Sequence, residues 1–162
     1  MTKISDNFTL EEFGGVHPEP KLLLLLQALR YHTGSSIVIT SGKRTVPEHI
    51  TIYKQLETEG KIKTTGNGLG DLSLLDYIPW GSKHLPSFNT KHLRAADINC
   101  YSPEGELYTG EEIHDRIETV RANPMFIDAI GKTPLYLGIG VGKTYVHLDT
   151  DRDHDTVWGY GY

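Results

Sequence analysis

Leu135-Tyr136-Leu137-Gly138-Ile139-Gly140-Val141-Gly142-Lys143-Thr144-Tyr145-Val146-His147-Leu148-Asp149-Thr150 is the stretch that decides the fold. Two strand-like runs, Leu135 to Gly140 and Tyr145 to Thr150, flank Val141-Gly142-Lys143-Thr144, which predicts a β-hairpin. Side chains alternate along a strand, so Val146 and Leu148 point into a core while Tyr145, His147 and Asp149 share the opposite face. The glycines imitate a phosphate loop. The required first glycine falls at Leu137, however, and a strand rather than a helix follows Lys143-Thr144.

Further strands and helices fall upstream. Arg94 to Asn99 is a small, apolar strand, and Ile37-Val38-Ile39-Thr40 is a β-branched one that runs into Ser41-Gly42-Lys43-Arg44. Thr9 stands three residues before Glu12, a capping-box spacing for a short helix. Pro18 and Pro20 introduce a helix from Lys21 to Thr33, with Leu22, Leu25, Leu26 and Leu29 at helical spacing and Gly34 at its end. Pro47 to Glu59 and Thr109 to Asn123 are two more helices, the latter with Glu111 and Glu112 in its first turn. Residues 60–81 are irregular and glycine-rich, either a loop at the mouth of a site or a passive insertion. Helices that lead and strands that follow predict an α+β fold, one domain over residues 1–162.

Composition narrows the function. A net charge of −5 argues against nucleic acid as the main partner. Cys100 is the only cysteine, which rules out an internal disulfide and a Cys-rich zinc site; a small buried residue at a strand end is expected there. Met1 to Asp6 has no apolar signal core, and the longest apolar run, Leu22 to Leu26, is far too short to span a bilayer. Synthesis in the cytoplasm, no membrane insertion and a monomeric state are the expectations.

Three residues carry candidate metal chemistry. His84, Asp97 and His147 are two imidazoles and one carboxylate, a set that leaves a fourth zinc position open. Asp97 lies in the apolar run Ala95-Ala96-Asp97-Ile98, where a buried carboxylate needs a partner; capping a turn is the alternative. His92, in Lys91-His92-Leu93, nearly duplicates the setting of His84 in Lys83-His84-Leu85. Two decoys fail. Asp149-x-Asp151-x-Asp153 lacks the turn glycine and the final glutamate of a calcium loop. His114 and Glu118 lack the second histidine of a helical zinc motif and belong to a solvated helix face.

Ser41-Gly42-Lys43-Arg44, Ser82-Lys83-His84, Ala95-Ala96-Asp97, His147-Leu148-Asp149 and Trp158 occur in the order found in the zinc D-Ala-D-Ala carboxypeptidase family, peptidase family M15. The chain resembles that family, which includes many phage cell-wall peptidases, from about Phe8 to Trp158. The resemblance implies a small antiparallel sheet with flanking helices, the fold shared with the Hedgehog signalling domain. It implies Zn2+ on His84, Asp97 and His147, and peptidoglycan stem or cross-link peptides as substrates. It places Arg44 against a substrate carboxylate or carbonyl, with Ser82 and Tyr145 beside it. It further implies action at the cell wall, after phage-mediated release or within a virion. The family spaces its first two ligands more widely than the four residues between His92 and Asp97, and more closely than the twelve after His84. A loop insertion is the cheaper departure, which favours His84. Relatives carry a glutamate three residues before the last histidine, where this chain has Thr144. Asp149 is then the candidate general base, or else a group that orients His147 or Arg44. A zinc-bearing binding module, or a virion structural protein with the same fold, is the alternative function.

Overall fold

Glu19 accepts the Leu22 N–H and Pro20 occupies the first turn, so helix α1 (Pro20–Thr33) starts where those residues allow. It ends at Gly34, whose φ of 65° suits a residue without a Cβ. Helices α2 (Val46–Thr58) and α3 (Gly110–Arg121) each open on a full capping box, Thr45 with Glu48 and Thr109 with Glu112. A short helix α4 (Pro124–Ile130) follows directly, capped by Asn123. Glu11–Phe13 forms a single 3₁₀ turn, tied by Glu12 to the Thr9 N–H. The computed structural model describes residues 1–62, 82–85, 92–131 and 134–160. Most of the expected loop at 60–81 lies outside them.

The strands are β1 (Ser36–Ser41), β2 (Ala95–Tyr101), β3 (Gly138–Val141), β4 (Val146–Asp149) and β5 (Thr156–Gly159). They form one sheet in the order β1-β2-β4-β3-β5. The expected hairpin is present as β3 and β4, closed by the Gly142 N–H on the Tyr145 carbonyl. The class is α+β, as expected, but the sheet is mixed rather than antiparallel. β5, which no sequence pattern announced, runs parallel to β3. Asp155 fixes the entry to it by accepting the Leu137 N–H and two hydrogen bonds from Arg121 at 2.9 Å each.

One sheet face is apolar. Ala96, Ile98, Cys100, Ile139, Val146 and Leu148 pack there against Leu22, Leu25, Leu26 and Leu29 of α1 and Ile113, Ile117 and Val120 of α3. Cys100 is buried as expected, and burial pushes its thiol up to about 12. The opposite face carries polar groups in a lateral row. Ser41 pairs with Asp97, Asp97 with His147, His147 with Gly140 and Gly140 with Trp158. A β-bulge between Ile39 and Ser41 inserts one extra residue into β1 opposite Asp97. Such bulges redirect the chain, and here Gly42 to Arg44 follows at once.

Candidate metal centre

Asp97 and His147 are direct neighbours across β2 and β4, so the ladder itself sets their separation. His147 Nδ1 lies 2.8 Å from Asp97 Oδ1. His84 comes from a separate segment and closes the set, with Nε2 3.1 Å from His147 Nδ1 and 3.2 Å from Asp97 Oδ1. Four bonds seat that segment. The His84 carbonyl accepts the Arg44 N–H at 2.9 Å, His84 Nδ1 reaches the Gly42 carbonyl at 2.7 Å, and Lys83 Nζ donates to the Thr150 and Asp151 carbonyls. His92 is exposed and sits edge-on to His17, with ring centroids 5.9 Å apart. The geometry thus gathers His84, Asp97 and His147 and leaves His92 aside.

The ring nitrogens sort themselves by their partners. Among the described residues, His84 Nδ1 meets the Gly42 carbonyl, an acceptor, which assigns the proton to that nitrogen. His147 Nε2 faces the Asp149 carboxylate at 2.8 Å and likewise donates. Rings held this way turn their other nitrogens, with one carboxylate oxygen, toward a common point, where both nitrogens are free to bind an ion once unprotonated. Tetrahedral zinc with bonds of about 2.1 Å separates its donor atoms by about 3.4 Å, so these three spacings are close to what a small divalent ion requires. The three residues can hold a metal ion. Without an ion, a proton takes over part of its work. Burial alone pushes His147 down, but the hydrogen bonds to Asp149 and Asp97 outweigh it and raise the ring to about 8. Burial pushes Asp97 up, and the hydrogen bonds from His147 and His84 outweigh that, holding the carboxyl well below the usual range.

A cavity of about 680 Å³ opens over this cluster. Ile52, Tyr53 and Leu56 of α2 form one wall, and Tyr145, Trp158 and Tyr160 form the other. Trp158 lies 5.6 Å from the His147 ring, and Tyr160 stacks on Tyr145. Ser82 lines the same cavity. Arg44 does not take Glu48, which is occupied in the α2 cap. Its Nη2 donates to Asp97 Oδ2 at 3.0 Å, its Nε to Ser41 Oγ, and its Nη1 lies 3.4 Å from the buried His49.

Asp149 stands behind His147, away from the point where the three donors meet. Its Oδ2 takes the His147 proton, and Arg152 grips both of its oxygens. Burial raises this carboxyl, while Arg152 and then His147 outweigh it and hold the group well below the usual range. Of the two roles expected for Asp149, general base or a group that orients His147, these contacts fit the orienting one. The aspartates of the calcium-loop decoy disperse: Asp149 to Arg152, Asp151 to Arg94, Asp153 to the adjacent His154. His114 and Glu118 pair at 3.8 Å on the α3 surface.

Sequence reasoning missed Arg152, Lys83 and His49 as neighbours of the cluster. The available signals were Arg152, three residues beyond Asp149, and Lys83, directly before His84. Comparison of the chain with known protein families, curated proteins and solved structures finds no match.

Proposed function

We propose that this chain is a zinc-dependent peptidase acting on peptidoglycan stem or cross-link peptides, with the fold of the D-Ala-D-Ala carboxypeptidases and the Hedgehog domain. The convergence of one ring nitrogen each from His84 and His147 and the Asp97 oxygen at the floor of an open cleft carries this reading. His84, Asp97 and His147 would hold the ion, which when bound supplies a Lewis acid and lowers the pKa of a water. Asp149 orients the His147 ring rather than moving a proton. Arg44 holds the second Asp97 oxygen, so that only Oδ1 turns toward the cluster. Arg44, Lys61, Lys83 and Arg152 face two carboxylates in the cleft, a positive lining on a chain of net charge −5. That balance favours an anionic peptide. No helix among the described residues is long and apolar enough to cross a membrane.

One observation favours a second reading, a zinc-bearing binding or virion module without turnover. Among the described residues lining the cleft, Asp97 and Asp149 are the only carboxylates, and both are engaged. Metal analysis combined with a digest of purified muropeptides separates the two. About one zinc per chain with cleavage products supports the peptidase. Zinc without products favours the binding module. A protein that takes up no zinc ends both.

A further inference from the structure

β3 places glycine at both positions that face the metal cluster. Gly138 lies opposite Asp149 in the register, and Gly140 lies opposite His147. The alternation has a spatial reason. A Cβ on Gly138 would sit 2.3 Å from Arg152 Nε and 2.5 Å from its Cζ, inside the guanidinium. The bare strand therefore provides the slot in which Arg152 lies flat, with its Cζ 5.5 Å from the Trp158 ring. From that slot the guanidinium meets Asp149 as a two-pronged fork, Nη2 to Oδ2 at 2.8 Å and Nε to Oδ1. Lys83 Nζ approaches the same Oδ1 at 3.5 Å. Asp149 Oδ2 in turn receives the His147 Nε2 proton at 2.8 Å.

We propose that Arg152 is a positioning residue of the metal centre, acting through Asp149 on His147, and that Gly138 is glycine in order to admit it. The inference rests on the ligand set assigned above. A carboxylate on a short side chain has two rotational freedoms. Held by His147 alone, Asp149 could turn and release the ring. Held also by a planar fork, it cannot turn without breaking two charge-assisted bonds. The fork thereby fixes which His147 nitrogen bears the proton and which one faces Asp97 and His84.

Zinc affinity, measured by competition with a chromophoric chelator, tests this without reference to turnover. Arg152→Met and Gly138→Ala should each bind zinc about tenfold or more weakly than wild type, the usual effect of removing a ligand's supporting partner. Arg152→Lys, which keeps the charge but not the fork, should fall between. Arg121→Ala serves as the control: it breaks a distant ion pair with Asp155 and should lower stability without changing zinc affinity. Equal affinity in wild type, Arg152→Met and Gly138→Ala overturns the proposal and leaves the metal centre standing. Failure of wild type to bind zinc overturns both. Should the variants not fold, ¹⁵N spectra of the zinc-free wild type at alkaline pH decide. A His147 ring protonated on Nε2 supports the proposal, and one protonated on Nδ1 overturns it.

Discussion

Stability of the zinc-free protein should fall as pH rises from 6 to 9, and His147 sets the size of the fall. Its ring titrates at about 8 in the folded chain against 6.5 for the reference histidine. Below pH 6.5 the ring is protonated in both states, and its bonds to Asp149 and Asp97 contribute in full. Between the two values the unfolded chain has lost the proton while the folded chain keeps it. Stability then declines by up to about 1.4 kcal/mol per pH unit. Above 8 both states are neutral and the contribution is gone. A difference of 1.5 pH units corresponds to about 2 kcal/mol. Urea unfolding in the presence of a chelator, at pH 6, 7, 8 and 9, measures it. With a urea dependence of about 2 kcal/mol per molar, the midpoint should move down by about 1 M. Saturating zinc should abolish the decline, because the ion occupies the nitrogen that the proton would hold. His147→Gln should flatten the zinc-free profile. A zinc-free profile that is level or rising across this range, or an unchanged slope in His147→Gln, refutes the reasoning.

Arg44→Ala should weaken zinc binding about tenfold, since Asp97 Oδ2 loses its donor; unchanged zinc affinity with loss of peptide use would instead place Arg44 on the substrate. Gly140→Ala should destabilise the fold by about 1–3 kcal/mol in urea unfolding, because a Cβ there would lie 2.6–2.8 Å from the Tyr160 and Trp158 rings. Asp155→Ala should cost about 1 kcal/mol, as it strands the Leu137 N–H. Burial raises the Asp155 carboxyl, and the Leu137 N–H and then Arg121 outweigh it, so its folded value is depressed. Its contribution is present above the ordinary carboxylate range and lost as pH falls through it, so the variant and wild type should converge in acid.

Elements with strong local signals were legible. The leucines of α1 with Gly34, the early proline of α2, the acidic first turn of α3, and the alternation around His147 each follow from residues within a few positions of one another, whereas the capping boxes of α2 and α3 went unread. β5 was not legible. It is four residues long, follows the aspartate-rich run from Asp149 to Asp155, and owes its place to Arg121 on another element. Its parallel pairing with β3, which makes the sheet mixed, is likewise a tertiary fact. At the site, same-face placement of His147 and Asp149 follows from strand period, but which one is gripped by Arg152 does not. Arg44 shows the same limit. Glu48 was its nearest carboxylate in sequence, yet the α2 cap consumes Glu48 and the β1 bulge lies where the chain turns toward Asp97. The Gly-x-Gly-x-Gly run was visible but its purpose was not, since the groups it accommodates arrive from residues 145, 152, 158 and 160.

The seat of His84 has a consequence for how quickly an ion comes and goes. Asp97 and His147 are neighbours on a hydrogen-bonded ladder and move only with the sheet. His84 depends on the Gly42 carbonyl, and Gly42 is pressed so closely against Phe13 that a Cβ would lie 2.8 Å from its backbone. The N-terminal turn is therefore the backstop of the third ligand. Protein–metal bonds break one at a time, and the bond with least framework behind it breaks first. Escape of the ion would begin at His84, and its residence time would depend on the contact between Phe13 and Gly42 as well as on the Arg44 and Lys83 bonds to the same segment.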